Sequence, residues 1–176
     1  MLGKSKLIYG RTKPEPMAKG RIQQIDPRMP YPICQWGCNF RSLLAIVETL
    51  QGATFDADQI LWAWIEAQWR KEDGIQGMLK DGTVQVPKVV LDLGFALLGV
   101  HKTGYDIGSN GPLGESYWSW VQDKTIHATI LKGKTVNGND HFREGNPKGK
   151  LIWDPSPETV IAEEKAVIYY QVKDLA

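Results

Sequence analysis

Cysteine is scarce in this chain: two occur in 176 residues, Cys34 and Cys38, four apart. That is too few to frame a disulfide-stapled secreted fold, and a bond between them would pin only a short loop. Free thiols in a reducing compartment are expected. Histidine is scarcer than a zinc framework needs, with only His101, His127 and His141, and the cysteine spacing is C-x3-C with no second close pair of ligands. Neither a metal site nor a cofactor is expected. Net charge is nearly absent, at +1 from 21 basic and 20 acidic residues, which excludes the electrostatic footprint of a nucleic-acid or acidic-membrane binder. No apolar run approaches membrane-span length, and Met1-Leu2-Gly3-Lys4-Ser5-Lys6 leads into no apolar signal core. The chain is therefore expected to stay in the cytoplasm, where it is made. Internal repeats and low-complexity tracts are missing too.

Aromatic residues are plentiful, with seven tryptophans, and the length suits one domain with a real core. Residues 1–22 mix Lys, Arg, Gly and Pro with few apolar residues and read as an arm laid over the surface or partly disordered. Residues 23–176 read as a single domain, its helical part over 38–122 and its sheet part over 125–172.

The centre of that domain is Gln35-Trp36-Gly37-Cys38-Asn39-Phe40-Arg41-Ser42-Leu43-Leu44-Ala45-Ile46-Val47. Apolar residues at 40, 43, 44, 47 and 50 have the spacing of a helix with one buried face, and Gly52 suits its end. Cys38 then lies in or just before the first turn. Outward-pointing N–H groups there favour negative charge, so the thiol should ionise below the ordinary value of about 8.5. A poised thiolate and a small buried apolar residue both fit this stretch alone.

Around it, three prolines between Asp26 and Pro32 predict a shaped loop up to that residue. Asp56 with Gln59 forms a capping-box pattern ahead of a helix reaching Trp69, with Leu61, Trp64, Ile65 and Trp69 as its stripe and Trp62 off it. Pro87 opens a short helix faced by Val89, Val90 and Leu93 and ended by Gly94. Phe95–Val100 fits either a strand or a helix tail. Four glycines over 104–114 predict a loop, and 115–122, with Trp118 and Trp120, a further helix. Strands follow: 125–131, with Thr125, His127 and Thr129 on a polar face, then 140–144, 150–154 and 166–172. Helices first and antiparallel strands afterwards make the expected class α+β, a helical half packed on a sheet.

A cysteine nucleophile needs a base and a group to orient it. Asn146-Pro147-Lys148-Gly149 is a strong type I turn signal. A four-residue loop there sets Gly145 opposite Lys150, so paired positions sum to 295 and His141 faces Asp154 on one side of the hairpin. A three-residue loop with a glycine bulge would shift that register by one. In the first case Asp154 accepts from one imidazole nitrogen while the other faces the thiol, shielded by Trp153 and Pro155.

Taken in order, Gln24-x-Asp26-Pro27-Arg28, Gly37-Cys38-x-x-x-Ser42-Leu43-x-Ala45, His141-Phe142 and Asp154-Pro155 resemble the papain-like cysteine peptidases of the bacteriocin-leader-processing type. The resemblance spans residues 24–157 and implies a papain-like fold. It implies Cys38 as nucleophile, His141 as base and Asp154 as orienting acid. Gln24 would be the oxyanion donor beside the Cys38 N–H, with Gln23 and Gln35 as rivals. Two departures stand out. Asn39-Phe40-Arg41-Ser42 replaces the usual Gly-Pro-Thr-Ser, which implies a crowded approach to the thiol. Arg143 and Glu144 follow His141 at once, which implies a clipped strand. The expected function is a cysteine hydrolase acting on a peptide or amide bond, with a peptide or peptidoglycan-like substrate held at Trp36 and Trp153. The alternatives are an inactive papain-like module that binds peptide or glycan, and an acyltransferase using the same triad.

Overall fold

The computed structural model describes residues 20–102, 104–110 and 125–175. The region expected as a helix over 115–122, with Trp118 and Trp120, lies outside them, as does the arm up to residue 19. The end of that arm belongs to the core: Arg21 and Ile22 are both buried, each engaged by partners on the next helices and strands.

The first helix, α1 (Tyr31–Trp36), starts inside the stretch expected to be a loop. Its proline, Pro32, falls in the first turn, where the missing N–H has no intrahelical partner to lose. Gly37 follows and donates to the Ile33 carbonyl at 2.9 Å. A Cβ at Gly37 would stand 2.6 Å from that same oxygen. A glycine is therefore what lets α2 (Cys38–Gln51) begin one residue after α1 ends, with Cys38 as its first residue. Gly52 ends α2 at φ +62°, the left-handed conformation that a glycine adopts without a Cβ clash. The single buried face expected for this helix is too little: every residue from Phe40 to Glu48 is buried, charged ones included.

In α3 (Ala57–Trp69) the Asp56–Gln59 capping box is complete, with both reciprocal bonds at 2.9 Å. Its buried side differs from the expected stripe. Ala57, Ile60, Ala63 and Ala67 face the core, while Ile65 and Trp69 are exposed. The small residues admit the helix that follows in the chain, and the bulkier ones are turned outward. A two-residue turn at Asp73 and Gly74, both with positive φ, closes the small hairpin of β1 (Lys71–Glu72) and β2 (Ile75–Gln76), the backbone that such tight turns require. Then α4 (Pro87–Leu97) runs on past Gly94. Gly94 is a packing glycine, not a terminator: a Cβ there would lie 2.9 Å from Val47 Cγ2 on α2.

The expected loop over 104–114 contains an edge strand, β3 (Tyr105–Ser109), which takes its ladder bonds from the last strand. With β4 (Ala128–Thr135), β5 (Asp140–Gly145), β6 (Leu151–Trp153) and β7 (Ile161–Val172) it forms a five-stranded antiparallel sheet in the order β3-β7-β4-β5-β6. Of the polar face expected over 125–131, Thr125 is exposed and His127 half-buried ahead of the strand, but Thr129 is buried within it. Residues 128–131 are all buried, and the Thr129 hydroxyl donates to the Asn146 carbonyl at 2.7 Å. Leu43, Leu44 and Val47 of α2 share one core with Val90, Leu93 and Phe95 of α4, Ile60 of α3, and Ile130, Tyr170 and Val172 of the sheet. The class is thus α+β, helices packed on an antiparallel sheet. No described helix is long and apolar enough to cross a membrane, and no group of three His, Cys, Asp or Glu among the described residues is arranged to hold a metal.

Candidate active site

The 146–149 turn forms, with Gly149 N–H donating to the Asn146 carbonyl at 2.9 Å and Lys148 N–H to the Asn146 side chain at 2.9 Å. Its register is not the expected one. Gly149 takes φ +81° and Asn146 pairs with Lys150, a three-residue loop ended by a glycine, which moves the strands by one. A second irregularity then sets Gly145 opposite Leu151 but Glu144 opposite Trp153, with Ile152 as the extra residue. Each one-residue slip alone would turn Asp154 to the other face. Together they return it to the side of His141, one diagonal step away. His141 Nε2 and Asp154 Oδ1 are 2.8 Å apart.

Asp154 Oδ1 also accepts the Ser156 N–H at 2.9 Å, which fixes the carboxylate as it fixes the ring. Cys38 is near enough to the ring to favour its charged form, as Asp154 does. Burial pulls the His141 pKa down, but the hydrogen bonds to Asp154 and Cys38 and the negative charge of both carry it up to about 9. A pKa there favours the protonated imidazole at neutral pH. Ser42, one turn beyond Cys38, donates its hydroxyl to the Phe142 carbonyl at 3.1 Å, docking the helix of Cys38 on the strand of His141. The other histidines are elsewhere: His127 Nδ1 accepts the Val172 N–H at the end of the sheet, and His101 is exposed.

Gln24 is buried at the same place, its N–H donating to the Pro155 carbonyl at 3.0 Å, next to Asp154. Its Nε2 donates to the Cys34 carbonyl at 3.1 Å and, weakly, to that of Ile33 at 3.4 Å. The neighbouring Asp26 and Arg28 form a self-contained bidentate pair outside the site, which lowers the Asp26 carboxyl.

Gln24, Cys38 and His141 line a cleft of about 400 Å³. Gln35 and Trp36 form its helix-side wall; Val136 and Asn137, from the β4–β5 turn, and Ser156, Glu158 and Val160 form the strand-side wall. Trp36 is 49% exposed and free to meet a ligand. Trp153, expected beside it, is not at the cleft. It is buried, with the guanidinium carbons of Arg41 and Arg21 4.9 and 5.4 Å from its ring centre. The crowding expected from Phe40 and Arg41 is also absent, since both point into the core and are fully buried. Nor is the strand after His141 clipped: β5 continues to Gly145, paired on both sides.

Arg41 belongs to a cluster that the motifs did not reveal. Its NH2 lies 3.0 Å from Glu48 Oε1 and its Nε donates to the Ile22 carbonyl at 2.6 Å. Arg21 meets Glu144 at 2.8 Å and Thr49 at 2.8 Å, and Thr49 donates to Glu144 at 2.5 Å. Burial raises the Glu144 carboxyl and lowers the Arg41 guanidinium from their ordinary values. The signal for it was the pair Arg41 and Glu48, seven apart and so on one side of a helix whose middle, Leu43 to Val47, is wholly apolar.

Comparison with models of protein families, with curated proteins and with solved structures finds no match for this chain.

Proposed function

We propose that this protein is a papain-like cysteine hydrolase that cleaves a peptide or amide bond through Cys38, His141 and Asp154. The observation that carries the reading is the 2.8 Å contact of His141 Nε2 with Asp154, made at the wall of an open cleft that Cys38, the first residue of a buried helix, also lines. The Cys38 sulfur attacks the carbonyl carbon, and the electrons of the C=O bond move to oxygen. The Cys38 N–H, free at the helix start, and the Gln24 amide stabilise that oxyanion. The amide proton on the weak 3.4 Å bond to Ile33 is the one to be redirected. His141 Nδ1–H protonates the departing amine, leaving a thioester. The neutral imidazole then takes a proton from water, whose oxygen displaces the sulfur and releases the acid.

A module that only binds peptide or glycan is favoured by one observation: both Gln24 amide protons already have backbone acceptors. Purified protein incubated with a mixed peptide library and with peptidoglycan stem peptides separates the two, with Cys38→Ala as control and masses as readout. New cleavage products in wild type alone support the hydrolase; identical spectra together with equal peptide or glycan binding support the module.

A further inference from the structure

We propose that the cleft selects peptides bearing a cationic group, a primary ammonium or guanidinium, next to the bond held at Cys38, with Glu158 as the specificity-determining residue. This rests on the hydrolase reading for its consequence, though not for its measurement. The cleft walls hold three titratable charges, Asp140, His141 and Glu158, beside its thiols, and neither Lys nor Arg. Asp140 is matched by Lys134 at 2.9 Å and Lys132 at 3.8 Å, and His141 by Asp154 at 2.8 Å. Glu158 is exposed and, among the described residues, has no ion pair or side-chain hydrogen bond. It is thus the uncompensated charge of the cleft.

The backbone that carries Glu158 is held in place. Thr159 N–H donates to the Ser156 carbonyl at 3.0 Å, and the two hydroxyls meet at 3.1 Å. A carboxylate carried on a held backbone at the rim of a partly enclosed cleft adds its negative field to that cleft. On the opposite wall the exposed Trp36 offers a flat apolar face, suited both to the alkyl stem of a lysine or arginine and to its cation. An acidic substrate side chain would meet Glu158 with like charge.

The test uses Cys34→Ala protein, so that Cys38 is the one thiol left. Its rates of reaction with two methanethiosulfonates of similar size, one carrying trimethylammonium and one sulfonate, are compared at low salt. Glu158→Gln should lower the cation-to-anion rate ratio about two- to fivefold, an effect that high salt should erase. In parallel, Cys38→Ala protein is titrated with capped hexapeptides that differ only by lysine, arginine or norleucine at one position. The cationic peptides should bind more tightly, and the advantage should vanish in the Cys38→Ala, Glu158→Gln double variant. A rate ratio unmoved by Glu158→Gln, or norleucine peptides bound as well as cationic ones, overturns the proposal. Charge selectivity without any hydrolysis would sink the enzyme reading and leave the cleft's preference standing; hydrolysis without charge selectivity would do the reverse.

Discussion

Helix α2 and strand β5 meet through two charged clusters, and the two have opposite designs. At one end, Cys38 and His141 face a cleft, and Asp154 stands behind them. A few residues further along the same pair of elements, Arg41 and Glu48 of α2 join Arg21 and Glu144 with every side chain at 0–1% exposure. The sealed cluster balances two cations against two anions, and Trp153 covers it. Having no access to water or ligand, it can only hold the helix to the strand. The open cluster has its geometry supplied by that clamp and keeps one side free for a reacting group. Contact chemistry is similar at the two ends, and solvent access is what separates a sealed fastener from a site that a ligand can reach.

The largest expected effects break this comparison at each end. Cys38→Ala should lower hydrolysis by at least about 10⁴-fold while leaving the urea midpoint nearly unchanged, because it removes one small side chain at the cleft edge. Glu48→Gln should do the opposite in kind. It strands the buried Arg41 charge and should cost about 3–5 kcal/mol of stability, measured by urea unfolding. Loss of stability in the first variant, or none in the second, would dissolve the distinction.

Asp154→Asn sharpens it with a smaller effect. Activity should fall about 10²–10³-fold, less than for Cys38→Ala, since the carboxylate orients and stabilises the imidazolium without reacting. The His141 pKa, about 9 in the folded chain against an ordinary 6.5, should drop toward the ordinary value when followed by ring-proton NMR. The linked stability has a definite sign. A raised histidine pKa contributes stability that is fully present below pH 6.5 and is lost as pH rises through 9. Wild type should therefore lose stability across that window, and Asp154→Asn should lose less.

Much of this was legible from local rules. Gly52, the Asp56–Gln59 cap and the Asn146–Gly149 turn are each decided by a few neighbouring atoms, and each formed where its residues suggested. What escaped depends on distant partners. Gly94 looks like a helix end until Val47 is seen against it, and Ile65 and Trp69 look like core until the alanines of α3 meet α4. Arg41 read as an obstacle in the substrate's path because, beyond Glu48 two turns along the helix, nothing in its neighbourhood names Arg21 and Trp153 as its partners. The His141–Asp154 pairing was anticipated from a register that the chain does not adopt, and it survives through two slips that local turn chemistry does not couple.

That coupling gives the β5–β6 hairpin an odd–even rule. Lengthening its loop by a single residue would carry Asp154 to the reverse side of the sheet and leave His141 without a counter-ion, whatever residue was inserted. Lengthening it by two would keep the acid on the correct side but slide it about 7 Å along the strand. For this segment the number of residues is itself a functional property, one that substitution scanning, which never changes length, would not detect.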